Sequence, residues 1–85
     1  MQKEVRMMKI KVKLFATLRK YAPQASASEQ ELEVAQGTTA SQVLEQLKIP
    51  QAQVAFVFVN STHQKMDKAL ADGDKLGVFP PIAGG

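Results

Sequence analysis

At 85 residues the chain has room for one domain with a modest core and no more. Its balance of 45% hydrophobic and 22% charged residues is globular and excludes disorder along its whole length. The absence of cysteine excludes disulfides and thiolate metal sites, and it makes an intracellular, cytoplasmic location the expectation.

No apolar run approaches the ~20 residues needed to span a bilayer. Residues 1–10 also lack the apolar stretch of a signal peptide, so no membrane partner is expected. The net charge of +3 raises the question of nucleic acid. However, Lys9, Lys11 and Lys13 alternate with Ile10, Val12 and Leu14, the pattern of a solvated strand face. They have no aromatic platform or glycine loop among them, so no nucleic-acid partner is expected.

In chain order, residues 1–7 read as an unstructured leader. Residues 8–15 predict a strand with Ile10, Val12 and Leu14 facing the core. Residues 17–22 predict one helical turn, interrupted by Pro23, and residues 24–28 a small polar loop. Residues 29–34 alternate again, with Glu29, Glu31 and Glu33 on one face and Leu32 and Val34 on the other. An antiparallel pair of these two strands would set the lysines and glutamates on one shared solvent face.

Gly37-Thr38-Thr39 ends the second strand. Thr39 followed by Gln42 predicts a capping box, and Ala40, Val43, Leu44 and Leu47 form a helical stripe. Pro50 stops this helix, with Lys48 expected in its last turn. Residues 54–60 are apolar on both faces and predict a strand, leaving open which of its two faces is covered. A turn at residues 60–62 and a brief strand at Lys65-Met66 follow. Asp72-Gly73-Asp74 has hairpin-turn chemistry, and residues 75–79 form the last strand.

The order strand, strand, helix, strand, short strand, strand predicts an α+β fold of the β-grasp type. In it a mixed sheet grips one helix, and the last strand lies parallel beside the first. One helix covers one sheet face. Either Val54, Phe56 and Phe58 or Ala55, Val57 and Val59 must then meet solvent or a partner, and Phe56 and Phe58 are read as a partner-binding row.

The domain is expected over residues 8–79, with residues 80–85 leaving it as an extended tail. Pro80 and Pro81 hold the backbone near polyproline II, and Ile82, Ala83, Gly84 and Gly85 carry no side-chain charge. Two final glycines remove every side chain beside the terminal carboxylate, so a partner enzyme could thread this end through a narrow channel. That makes the carboxyl terminus the expected functional group. Small, frayed termini are common, however, and Gly-Gly alone carries limited weight.

Three stretches carry a resemblance. Phe15-Ala16-Thr17-Leu18-Arg19, Leu70-Ala71-Asp72-Gly73-Asp74 and Phe79-Pro80-Pro81-Ile82-Ala83-Gly84-Gly85 together resemble the small subunit of molybdopterin synthase, of the MoaD type within the MoaD/ThiS sulfur carriers. The resemblance runs from about residue 8 to the end.

It implies a ubiquitin-like β-grasp fold and sulfur delivery in molybdenum cofactor biosynthesis. It implies no bound cofactor, with ATP consumed by an activating partner. The implied partners are the large synthase subunit, a ubiquitin-activating-enzyme-like adenylyltransferase and a sulfur donor protein. Gly85 would carry the adenylate and then the thiocarboxylate, Gly84 would give access to it, and Phe79 to Ala83 would form the inserted tail. Arg19, with Phe15, would contact partners.

The chemistry is consistent with such a role. A carboxylate resists nucleophilic attack, an acyl-adenylate supplies a leaving group, and the resulting thiocarboxylate is a nucleophile that needs no cysteine. His63, expected in a loop with Asp67 nearby, is read as solvated, and Asp72 and Asp74 as shaping their turn. No metal site and no catalytic activity in isolation are expected. The alternatives are a carrier for thiamine or tRNA thiolation, a ubiquitin-like protein modifier, and a plain β-grasp binding module.

Overall fold

A computed structural model describes residues 6–21 and 29–81. In order these form β1 (Met7–Leu14), a 3-10 turn (Ala16–Tyr21), β2 (Glu29–Ala35), α1 (Ala40–Gln46), a second 3-10 turn (Gln51–Gln53), β3 (Phe56–Val59), β4 (Thr62–Gln64) and β5 (Lys75–Phe79). The strands make one sheet in the order β2-β1-β5-β3-β4. β5 runs parallel to β1 and antiparallel to β3, so the last strand lies at the centre of the sheet. This is the expected ubiquitin-like β-grasp fold. The expected leader falls mostly outside the described residues, as does the loop over residues 24–28.

The β1–β2 hairpin follows directly from its alternation. Met8, Ile10, Val12 and Leu14 are buried while the intervening residues are exposed. The register sets Lys9 opposite Glu33, Lys11 opposite Glu31 and Lys13 opposite Glu29. The Gln36 amide donates to the Arg6 carbonyl at 2.7 Å, so residues 6 and 36 form a hydrogen-bonded pair. By alternation these three lysine–glutamate positions are the non-hydrogen-bonded sites, where opposed side chains lie closer.

Helix α1 is held at both ends. At its start the Thr39 hydroxyl accepts from the Gln42 amide, and the Gln42 side chain accepts from the Thr39 amide, completing the capping box. The next two free amides find partners in the loop after β4: Ala40 donates to the Lys68 carbonyl and Ser41 to the Met66 carbonyl. All the early helix donors are thus satisfied.

At the other end the Lys48 amide donates to the Glu45 carbonyl and Ile49 to Leu44, a Schellman arrangement with Lys48 at φ +61°. Lys48 therefore lies just past the helix, not in its last turn. It takes the left-handed place that glycine usually fills. Ala40, Val43 and Leu44 are buried against the sheet, together with Leu18, Val57, Leu76 and Val78.

Two further expectations are corrected. The short strand is Thr62–Gln64, not Lys65-Met66, because Asn60 and Ser61 both take positive φ and complete a two-residue turn before Thr62. The carbonyl of Met66 instead serves the helix start. Second, Asp72-Gly73-Asp74 does make a tight turn, with the Asp74 amide donating to Ala71 and Gly73 at φ +86°. It closes no hairpin, since β4 and β5 are not neighbours. The turn docks on β1 instead: the Asp72 carboxylate accepts from the Lys9 amide at 2.8 Å, and the Gly73 amide donates to the Lys9 carbonyl.

Candidate functional site

The helix covers one face of the sheet, and the opposite face divides in two. Over β2 and β1 it carries the matched glutamates and lysines. Over β5, β3 and β4 it carries rings. Val57 and Val59 are buried on the helix side, which leaves Phe56 and Phe58 half-exposed on the other. That resolves the ambiguity of the doubly apolar strand. The small valines meet α1, and the bulky rings remain outside.

The rings form a connected cluster. Phe15 stacks on Phe79 with centroids 4.1 Å apart and planes 10° from parallel. Phe79 in turn stacks on Phe56 at 5.1 Å. Phe58 meets Phe56 at 5.6 Å and Phe79 at 5.4 Å, both edge-on. Offset-stacked and edge-to-face pairs at these separations are mutually attractive. Phe15 reaches the cluster because Ala16, at φ +52°, turns the chain sharply after β1. The Lys13 ammonium sits 5.2 Å from the Phe15 ring centre, within cation–π range.

His63 is not in a loop. It lies on β4 opposite Phe58, with its ring 5.7 Å from that of Phe58 and 5.9 Å from that of Phe56. The sequence signal for this was the apolar run ending at Asn60, whose turn brings residue 63 back beside residue 58. Gly77 was also overlooked. It lies between Lys13 on β1 and Phe58 on β3 and leaves a hollow of about 480 Å³ lined by the rings of Phe15, Phe58 and Phe79 and by the charged Lys13, Glu29 and Lys75.

The start of the tail belongs to this face. The Phe79 carbonyl accepts from the Ala55 amide at 2.8 Å, the last bond that fixes β5. Pro80 and Pro81 then line a second groove with Phe15, Thr17, Phe56 and Phe79. Of the expected site residues, Phe15, Phe56, Phe58, Phe79, Pro80 and Pro81 are therefore gathered at one place. Arg19 is not among them: it is exposed on the first 3-10 turn and lines neither hollow. Ile82, Ala83, Gly84 and Gly85 lie outside the described residues. Among the described residues no three His, Asp or Glu side chains gather into a metal site, and no helix is long and apolar enough to cross a membrane.

A model of the ThiS family matches residues 12–85. The chain belongs to the ThiS family. It is thus a small ubiquitin-like sulfur carrier of the MoaD/ThiS type.

No curated protein matches this ThiS-family chain closely enough to be counted as a relative. Solved structures do. The HVO 2177 protein of Haloferax volcanii is 26% identical, covering 93% of this chain and 88% of that one, with a TM-score of 0.74. A candidate subunit 1 of molybdopterin converting factor from Pyrococcus furiosus is 30% identical, covering 88% and 99%, with a TM-score of 0.66. Small archaeal modifier protein 1 of Methanosarcina acetivorans is 25% identical, covering 94% and 99%, with a TM-score of 0.65.

Proposed function

We propose that this ThiS-family chain is the sulfur-carrying small subunit of a molybdopterin synthase, acting in the cytoplasm. One observation carries the reading. The aromatic face runs without a break into Phe79-Pro80-Pro81, so a surface able to hold a partner sits at the root of the segment that would enter that partner. The likeness to the Pyrococcus furiosus protein supports the molybdopterin pathway in particular.

The chain's own contribution is positional. Phe15 and Phe56 clamp Phe79 from its two sides. The two prolines extend the backbone away from the domain with few conformations to lose. Gly84 and Gly85 leave the terminal carbonyl unobstructed.

An adenylating partner then supplies ATP. A Gly85 carboxylate oxygen attacks the α-phosphorus, and pyrophosphate leaves. A hydrosulfide equivalent from a sulfur donor protein attacks the carbonyl carbon, and AMP departs with its bonding pair. The resulting thiocarboxylate would pass its sulfur to the pyranopterin precursor within the large synthase subunit. The carrier itself supplies no catalytic side chain. Arg19, exposed and close in sequence to Phe15, remains a candidate partner contact.

Intact mass measurement tests this. Incubation with an adenylating partner, ATP and a sulfur donor should exchange one oxygen for sulfur, and deletion of Gly85 should abolish the exchange. A wild-type chain that gains no sulfur under any such condition is not a carrier. The likeness to the Methanosarcina acetivorans modifier favours a second reading, conjugation of Gly85 to target lysines. Isopeptide-linked adducts in cells, in place of sulfur transfer to the precursor, would select it.

A further inference from the structure

We propose that the chain associates with copies of itself head to tail, the outer edge of β2 in one copy pairing antiparallel with the outer edge of β4 in the next. These two strands end the sheet. β2 runs against β1, β1 with β5, β5 against β3 and β3 against β4, so β2 and β4 point in opposite directions. A copy displaced along the sheet therefore brings its β2 beside β4 as an antiparallel neighbour, with the outward faces of both copies on the same side.

Each edge offers unused backbone groups. The bond from the Gln36 amide to the Arg6 carbonyl marks residues 6 and 36 as a bonded pair, so by alternation Glu31 and Glu33 turn their N–H and C=O groups away from β1. On the other side the Asn60 amide donates to the Lys75 carbonyl. Phe58 thus bonds toward β5, and His63, opposite Phe58, turns its own groups outward. Among the described residues none of these outward groups has a partner.

Charge selects the match. β2 carries Glu29, Glu31 and Glu33 on its outward face. At the other edge His63, Lys65 and Lys68 line one hollow of about 410 Å³, with Asp67 its single carboxylate. Charged, short edges ordinarily keep sheets apart. Here β2 against β2 would oppose glutamates and β4 against β4 would oppose cations, so both symmetric pairings are disfavoured and the unlike one is left.

With His63 opposite Glu33, Lys65 falls opposite Glu31, and the rows across the contact read Lys9, Glu33, His63 and Lys11, Glu31, Lys65. A carboxylate has acceptor sites for a donor on each flank, and an imidazole ring carries an N–H donor, so neither glutamate leaves its hairpin neighbour. β4 is only three residues long. The contact is accordingly small, with Kd about 1 mM, and being heterologous it extends with concentration instead of closing.

A dilution series of the full chain, followed by amide NMR across that Kd, tests the proposal. The amides of Glu31, Glu33 and His63 should shift together with concentration, and added salt should reduce the shifts. Lys65→Glu and Glu31→Lys should each weaken association about tenfold. Lys65 lies beyond β4, so its exchange should leave Tm unchanged. A chain carrying both exchanges should recover the wild-type association, because each contact again joins opposite charges.

Wild-type amides that do not respond to concentration overturn the proposal, as does a double exchange that associates no better than the single ones. Loss with Glu31→Lys but none with Lys65→Glu would mean that β4 is not the partner edge. Shifts confined to Phe15, Phe56 and Phe79 would place self-association on the aromatic face and would equally overturn the edge pairing.

Discussion

The ring of Phe15 lies flat on the ring of Phe79, 4.1 Å away. The first residue after the first strand is thereby locked to the last residue of the final one. The Phe15 amide adds a second tie, donating to the Val78 carbonyl at 3.2 Å. Through this pair the turn at Ala16 and the root of the tail are one structural unit.

Removing one ring should loosen that unit. Phe15→Ala is expected to lose about 2 kcal/mol, from the stacking of the pair and the half-buried area of the ring. Urea unfolding measures the loss, and an unchanged midpoint would show that the stack contributes nothing. Phe15→Leu should recover part of the loss, because area returns without the ring geometry.

The charge rows of the hairpin predict a reciprocal result. Lys9→Glu places two carboxylates opposite each other at a non-hydrogen-bonded site and should cost about 0.5 kcal/mol. The exchanged pair, Lys9→Glu with Glu33→Lys, should restore stability. A double-mutant cycle gives the coupling, which should shrink as salt is raised. Additive single effects would mean that the two side chains do not interact.

Lys48 offers a gain in stability. It holds φ +61° directly after α1, a conformation costly for any residue with a Cβ. Lys48→Gly should add about 1 kcal/mol, a Tm increase of roughly 4–8 °C for a domain of this size. A thermal melt that moves downward would show that the lysine stem makes contacts worth more than the strain it brings.

The turn before β5 depends on one carboxylate. Asp74 accepts from the Asn60 side chain at 2.9 Å and from the Ala71 amide at 2.8 Å, while the Asn60 oxygen accepts from the Lys75 amide at 3.0 Å. Asp74→Ala should cost about 2 kcal/mol, since two bonds to a charged acceptor are lost together. Amide exchange should accelerate at Ala71 and Lys75 before the rest of β5, and uniform protection would contradict this.

Deleting Gly85 is expected to leave unfolding unchanged while abolishing sulfur loading. The comparison pairs a melting curve with the intact-mass assay. Loading that survives the deletion would move the acceptor site elsewhere in the chain.

The parts legible in the sequence were those governed by near neighbours. The lysine and glutamate rows fixed the hairpin, because a one-residue slip would bury every charge. Thr39 and Gln42 marked the helix start, since the cap is a contact across three residues. The errors came where a local signal leaves the destination of the chain open. Asp72-Gly73-Asp74 announces a reversal but does not say that the next strand will slip between β1 and β3. Positive φ at Ala16, Lys48 and Ser61 falls on residues whose side chains do not announce a left-handed conformation as glycine would. Phe56 and Phe58 were recognised as a row. Their union with Phe15, Phe79 and His63 required the strand order, and the importance of Gly77 follows only from what surrounds it.

The final strand is bonded on both flanks, to β1 on one side and β3 on the other. Traction on the protein's carboxyl end would therefore load two ladders in shear at once, a mechanically resistant geometry compared with peeling an edge. A pull on this end is therefore resisted by both neighbouring strands before the sheet can come apart.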